Sequence, residues 1–306
     1  MNKEISKVYS LITSCLNSKN KFFFWLFVRL VSALFPLLTL YLFSRVIYLL
    51  EINTSLQPLI LIIILIALTR LLDNFTRLKS IYKLEDIISD TSFNLHNYFI
   101  NDLKSESKTE RHESIQAIRN FTDATILTLR LLRQPGVDSL VSLIIIPIII
   151  FVLDPSLFII EIAYILIYLV TDFYTTQHYI RLKDIQNAKT EQYYAKLQDD
   201  NDIDLEQKSY SRHFYRLTHW CFIEWFSLQN LSIFFYCLSL VYLIFTVTQH
   251  QKQISDIVLF MGYLIQTQTF LNSLSEIHDG LADTSVALEH LAKNRSISAI
   301  DLSDLT

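Results

Sequence analysis

Glycine is nearly missing from this chain of 306 residues, which holds only Gly136, Gly262 and Gly280. A phosphate-binding loop needs several glycines together, so that backbone N–H groups approach the phosphates, followed by Lys and Ser or Thr. Three isolated glycines supply no such loop, and no unaided ATP hydrolysis is expected of these residues. Cysteine is as sparse. Cys15, Cys221 and Cys237 lie far apart without a C-x-x-C pair, which predicts neither a disulfide framework nor a zinc site. Eight histidines are scattered without an H-E-x-x-H spacing, so no metal and no cofactor is expected. Charged residues make up 18% and the net charge is −4, with Lys and Arg spread between apolar blocks; that leaves no footprint for nucleic acid. Residues 1–21 carry no short apolar region with a small-residue cleavage site, so a signal peptide is not expected.

Apolar sequence is what the chain has in excess. Hydrophobic residues reach 51% and the mean hydropathy is +0.32, more than one soluble core of this size needs, so a lipid bilayer is the expected solvent. Crossing about 30 Å of hydrocarbon takes roughly 20 helical residues. Six blocks qualify once flanking semi-polar residues are counted: Phe22 to Leu50, Pro58 to Leu72, Val137 to Leu153, Ser156 to Val170, Leu231 to Val247 and Ile257 to Leu271. Several continue in helical register into less apolar sequence, as in the stretch after Leu72, where an apolar residue recurs every three or four positions.

Positive-inside bias orients these spans. Lys3, Lys7, Lys19 and Lys21 precede the first; Arg77 through Arg133 and Arg181 through Arg216 fill the two long connections; only Lys252 falls among the three short ones. The long connections and both termini are therefore expected in the cytoplasm, and the protein in the plasma (inner) membrane. The resulting divisions are an amphipathic segment over residues 1–21, a six-span domain with two cytoplasmic excursions over 22–292, and a short polar tail over 293–306.

Three helical hairpins with short outer turns and two long inner excursions resemble the transmembrane domain of ABC exporters. The likeness rests on the proline-bearing 31-VSALFPLLTLYLFSRVI-47, the D-P turn in 151-FVLDPSLFII-160, the polar helix 181-RLKDIQNAKTEQYYAKLQDD-200 and the last span with its extension, 257–291. It implies an all-α integral membrane fold of six long helices with cytoplasmic extensions, working as a homodimer or heterodimer. It departs from the family ahead of span six, where Ser255-Asp256 replaces the usual glycine, and in the acidic run 199-DDNDIDLE-206, where the family places its second coupling helix. The exporters' serine-glycine-glycine ATPase signature is absent, and the residues after Leu291 are too few for a domain. A separate nucleotide-binding subunit is one expectation; a gradient-driven peptide transporter and a non-transporting scaffold stand beside it.

Polar groups inside the apolar blocks are the candidate site. Glu161 lies six residues into span four, where a charge costs about 2.5–3.5 kcal/mol and normally faces a bundle interior or aqueous cavity. Steps of +3, +7, +11 and +14 from it reach Tyr164, Tyr168, Asp172 and Thr175, all on one helical face. That stripe is either a cavity wall for a cationic substrate or protons, or a packing seam with its acids paired. Arg29 lies at a depth similar to Asp172, and a pair between them is one reading; Arg45 near an outer end is expected to snorkel. Span six carries Gln266, Thr269 and Ser273 on one face and Gln268, Asn272 and Ser275 on a neighbouring one. Arg29, Glu161, Tyr164, Tyr168, Asp172, Gln266, Thr269 and Ser273 are thus the predicted contacts for a small-molecule or peptide substrate.

Overall fold

The computed structural model describes residues 13, 16, 18–102, 108–198, 204–249 and 251–294. Most of the N-terminal segment, the polar tail from 295 and the tip of each excursion (103–107 and 199–203) lie outside the described residues. Among the described residues the regular structure is all helical: α1 (Lys19–Ser32), α2 (Leu34–Glu51), α3 (Leu56–Asp102), α4 (Lys108–Leu131), a π-helical turn (Leu132–Gly136), α5 (Val137–Leu153), α6 (Pro155–Gln198), α7 (Asp204–Thr248) and α8 (Ile254–Asn294). Among the described residues five continuous helical stretches are long and apolar enough to cross a membrane: α1 with α2, then α3, α6, α7 and α8. The remaining predicted span, the third, is α5, a shorter apolar helix of 17 residues. It does not stand alone, because the π-turn joins it to α4 without a break.

Prolines mark where the helices bend. Pro36 offers no N–H to the carbonyl of Ser32 and its ring crowds that carbonyl, so the first span breaks at Ala33 between α1 and α2. Pro135 would interrupt an α-helix in the same way, and the chain widens there into the π-turn. Pro155 instead opens α6 at the first helical position, where a missing N–H costs nothing. Asp154 before it is the N-cap: its Oδ1 accepts the N–H groups of Ser156 and Leu157, both at 3.0 Å. At the start of α8 the Asp256 carboxylate accepts the Gln253 N–H at 3.0 Å, and the buried Ser255 gives its carbonyl to the Ser44 hydroxyl at 3.1 Å.

At 1.5 Å per residue, α3, α6, α7 and α8 are each about 60–70 Å long, twice the roughly 30 Å of hydrocarbon, so each runs well past its apolar part. Their packing forms successive cores along the long axis. Leu37, Ile150, Leu157, Leu243 and Phe260 fill the end near the α5–α6 turn. Tyr164, Tyr168, Leu228, Phe235 and Leu271 occupy the middle. Phe99, Ile118, Phe121, Leu288 and Leu291 join the far ends of α3, α4 and α8. The outer surface is apolar, with Leu61, Ile63, Ile64, Leu71 and Leu72 of α3 all more than half exposed. A soluble protein rarely presents so large a continuous apolar face; lipid is its matching solvent.

Candidate functional site

The predicted polar stripe on α6 lies at the centre of the molecule and faces α8. Glu161 is fully buried, and its Oε1 accepts the Thr267 hydroxyl at 2.6 Å. Tyr168 donates to Asn272 Oδ1 at 2.9 Å. Asp172 holds two partners, the Ser275 hydroxyl and His278 Nδ1, the latter at 2.9 Å. Further along, Thr176 reaches Asp279 at 3.4 Å, and Tyr179 (2.9 Å) and Lys183 (3.0 Å) share Asp283. The last rung joins Asp184 to His290 at 2.9 Å. Partners stay 100 to 106 residues apart throughout, so the two helices run parallel. From Glu161 to Asp184 this seam covers about 35 Å, starting inside the apolar block that ends at Val170 and continuing along the polar extension of α6.

Tyr164 turns toward α7 and shares a 2.8 Å hydrogen bond with Ser232. Beside it, Glu161, Ser232, Ser239 and Gln268 help enclose a cavity of about 10 Å³, room for one water. Glu161 Oε2 and Ser239 Oγ, both buried, have no hydrogen-bond partner among the described residues. A larger cavity of about 190 Å³ lies between α7 and α8 next to Tyr168, with Glu224, Glu276 and Asp279 in its lining.

Glu161, Tyr164, Tyr168 and Asp172 therefore come together as the helical spacing predicts. Gln266, Thr269 and Ser273 do not join them. Thr269 is exposed and Ser273 half-buried; their hydroxyls turn back to the carbonyls of Ile265 and Thr269, each at 3.0 Å. Gln266 is half-buried, its enclosed Oε1 without a hydrogen-bond partner among the described residues; the neighbouring face with Gln268, Asn272 and Ser275 meets α6 and α7. The Arg29–Asp172 pairing is also replaced. Arg29, fully buried, donates to Asp138 Oδ2 at 2.5 Å and to Ser32 at 2.8 Å, with Arg77 of α3 3.5 Å from the same carboxylate. The reason is packing: α1 lies against α3 and α5. Arg45 is exposed as expected, its guanidinium bonded to the Tyr41 hydroxyl and close to the rings of Tyr41 and Tyr48.

Sequence reasoning passed over Thr267, Ser232, Asp138, His278 and Glu224. The first two are ordinary hydroxyls whose partners lie in other helices, which one helix's periodicity does not reveal. Glu224 carried a signal of its own, an acid inside the aromatic run 220-WCFIEWF-226. At the opposite end of α6, Asp154 also accepts the Tyr242 hydroxyl at 3.2 Å and pairs with Lys252 at 3.1 Å, tying the α5–α6 turn to the α7–α8 connection. Among the described residues no group of three or more His, Cys, Asp or Glu side chains is placed to hold a metal ion.

No family model and no curated protein matches this sequence. Among solved structures the fold is similar to that of a bacterial Atm1-family ABC exporter with ATP bound, at a TM-score of 0.70 and 15% identity, over 90% of this chain. The chain spans about half the length of that exporter, 53%. Its fold is that of the helical, membrane-spanning part of an ABC exporter.

Proposed function

We propose that this chain is the transmembrane subunit of an ABC-exporter-like transporter that moves an amphipathic or peptide-like solute, with the ATPase on a separate chain. The observation that carries the reading is the fold, similar over 90% of this chain to an ABC exporter, together with the polar seam between α6 and α8, whose first rung, Glu161 to Thr267, is buried inside the apolar blocks. A carboxyl at that depth normally faces a bundle interior or an aqueous pathway. The side of α8 that carries Thr269 and Ser273 is where a second copy would complete a shared cavity, so the working unit is a dimer with both termini in the cytoplasm. The ends of the two excursions, near Ser107 to Arg119 and Asp199 to Ser211, are the surfaces for the motor; their tips lie outside the described residues.

The test is transport in vesicles made from the native membrane, comparing ATP depletion with a protonophore. ATP depletion should stop transport, and charge reversal at Arg119 should weaken both transport and co-purification of an ATPase. Transport that survives ATP depletion but collapses with the protonophore overturns this reading. It would favour the gradient-driven alternative, for which Glu161 speaks directly: one of its oxygens is unpartnered beside a water-sized cavity, as a proton-carrying carboxyl requires.

A further inference from the structure

We propose that the cavity between α7 and α8 is a binding site for a small organic cation, an alkylammonium group held between Glu224, Asp279 and the rings of Trp225 and Tyr168. This deepens the transporter reading by naming a ligand class, and rests on that reading only for the ligand's passage across the membrane.

Charge comes first. Glu224, Glu276 and Asp279 line the cavity, while no Lys or Arg does. The cations along this stretch are committed elsewhere, His278 to Asp172 and Lys183 to Asp283. Glu224 is only 5% exposed, yet its Oε1 has no hydrogen-bond partner among the described residues. A buried carboxylate oxygen left this way costs free energy, which either a proton or a positive ligand relieves.

Shape and chemistry then narrow the ligand. At about 190 Å³ the space exceeds the roughly 150 Å³ that accommodates a benzene ring, and it suits a compact head group rather than a peptide. A bare metal ion does not fit the lining, since no three acidic or imidazole groups among the described residues converge on a point. Trp225 and Tyr168 are in the lining, and aromatic rings attract ammonium groups whose charge is spread over several carbons; Leu228 adds an apolar wall. Trp225 and Glu276 are exposed and mark the open side; Glu224 is the buried end.

The same ammonium chemistry reaches the site from a choline lipid or from a free solute. The experiment uses the purified full chain in nanodiscs of phosphatidylglycerol and, in parallel, of phosphatidylcholine, with radiolabelled tetraethylammonium as probe and sodium chloride held constant. Saturable binding is expected in phosphatidylglycerol. Glu224→Gln should weaken it at least about tenfold, as loss of one contact to a charged group implies, and Trp225→Leu by about threefold. Glu276→Gln, at an exposed position, is a second variant free of folding risk and should weaken binding by a smaller factor. If binding disappears in phosphatidylcholine, the lipid head group is the occupant; if it persists, a free solute is. Either result supports the site. Absence of saturable binding in phosphatidylglycerol, or affinity unchanged in both Glu224→Gln and Glu276→Gln, overturns it. Because no transport is measured, failure of the transporter reading would leave this result standing, and transport without such binding would remove only the site.

Discussion

Glu161 keeps one oxygen on Thr267 and turns the other to a void the size of a water, and that division separates stability from function. Replacing a buried carboxyl by an apolar group of similar volume removes its desolvation penalty. Glu161→Leu should therefore leave the thermal midpoint in nanodiscs unchanged or raise it by the equivalent of about 1 kcal/mol, while transport falls. A midpoint lowered by several degrees would make Glu161 a packing element instead. Arg29 is the opposite case. Its charge is buried against Asp138, so Arg29→Ala should be clearly destabilising, though by less than the about 3–5 kcal/mol of a fully orphaned buried charge, because Arg77 still stands 3.5 Å from that acid. The double replacement Arg29→Met with Asp138→Leu should recover most of the loss in the same unfolding measurement.

At the scale of elements, helix spacing is set by small residues as much as by large ones. A Cβ on Gly262 would lie 2.5 Å from Leu40 Cδ1 and 3.0 Å from Leu40 Cγ, so α2 and α8 touch there without a side chain between them. Gly262→Ala should destabilise by about 1–3 kcal/mol through overpacking, and Leu40→Ala in the same chain should restore part of it in a thermal melt. Much of this level was legible in the sequence. The six apolar blocks fall on helices, Pro36 sits at a real break, and the Glu161–Asp172 stripe faces inward as a 3.6-residue period requires. What periodicity withheld was partnership. It placed two polar faces on α8 but held no information on which one met α6, and equal depth suggested Arg29 for Asp172 although α1 packs elsewhere. The block Val137 to Leu153 coincides with α5, but its join to α4 was not legible: a proline ordinarily ends a helix, yet the backbone passes Pro135 by widening for one turn.

For the molecule as a whole, the ends of the bundle differ in how they are closed. Near the α5–α6 turn, burial pushes the Asp154 carboxyl up, but the Leu157 N–H, the Lys252 ammonium and the Tyr242 hydroxyl outweigh it and hold the group below the usual carboxylate range. A folded value below the unfolded one, about 3.9, means the contribution is complete above that pH and is lost as pH falls through the folded value. Melting temperature should thus drop on acidification below about pH 4, and Asp154→Asn should flatten that part of the curve. Reporter fusions give the sidedness: at Thr54 and Gln251 they should read external, and at Ser107 and Asn201 cytoplasmic, with the reverse pattern overturning the orientation. The parallel seam has a consequence in time. Its partners lie 100 to 106 residues apart, and a ribosome adding about 5–20 residues per second delivers α8 some seconds after α6. During that interval none of the α8 partners of Glu161 and Asp172 has been made. A nascent chain halted before Thr267 thus carries acids that only α7 can shelter, a chemical mark of incompleteness that the final helix removes.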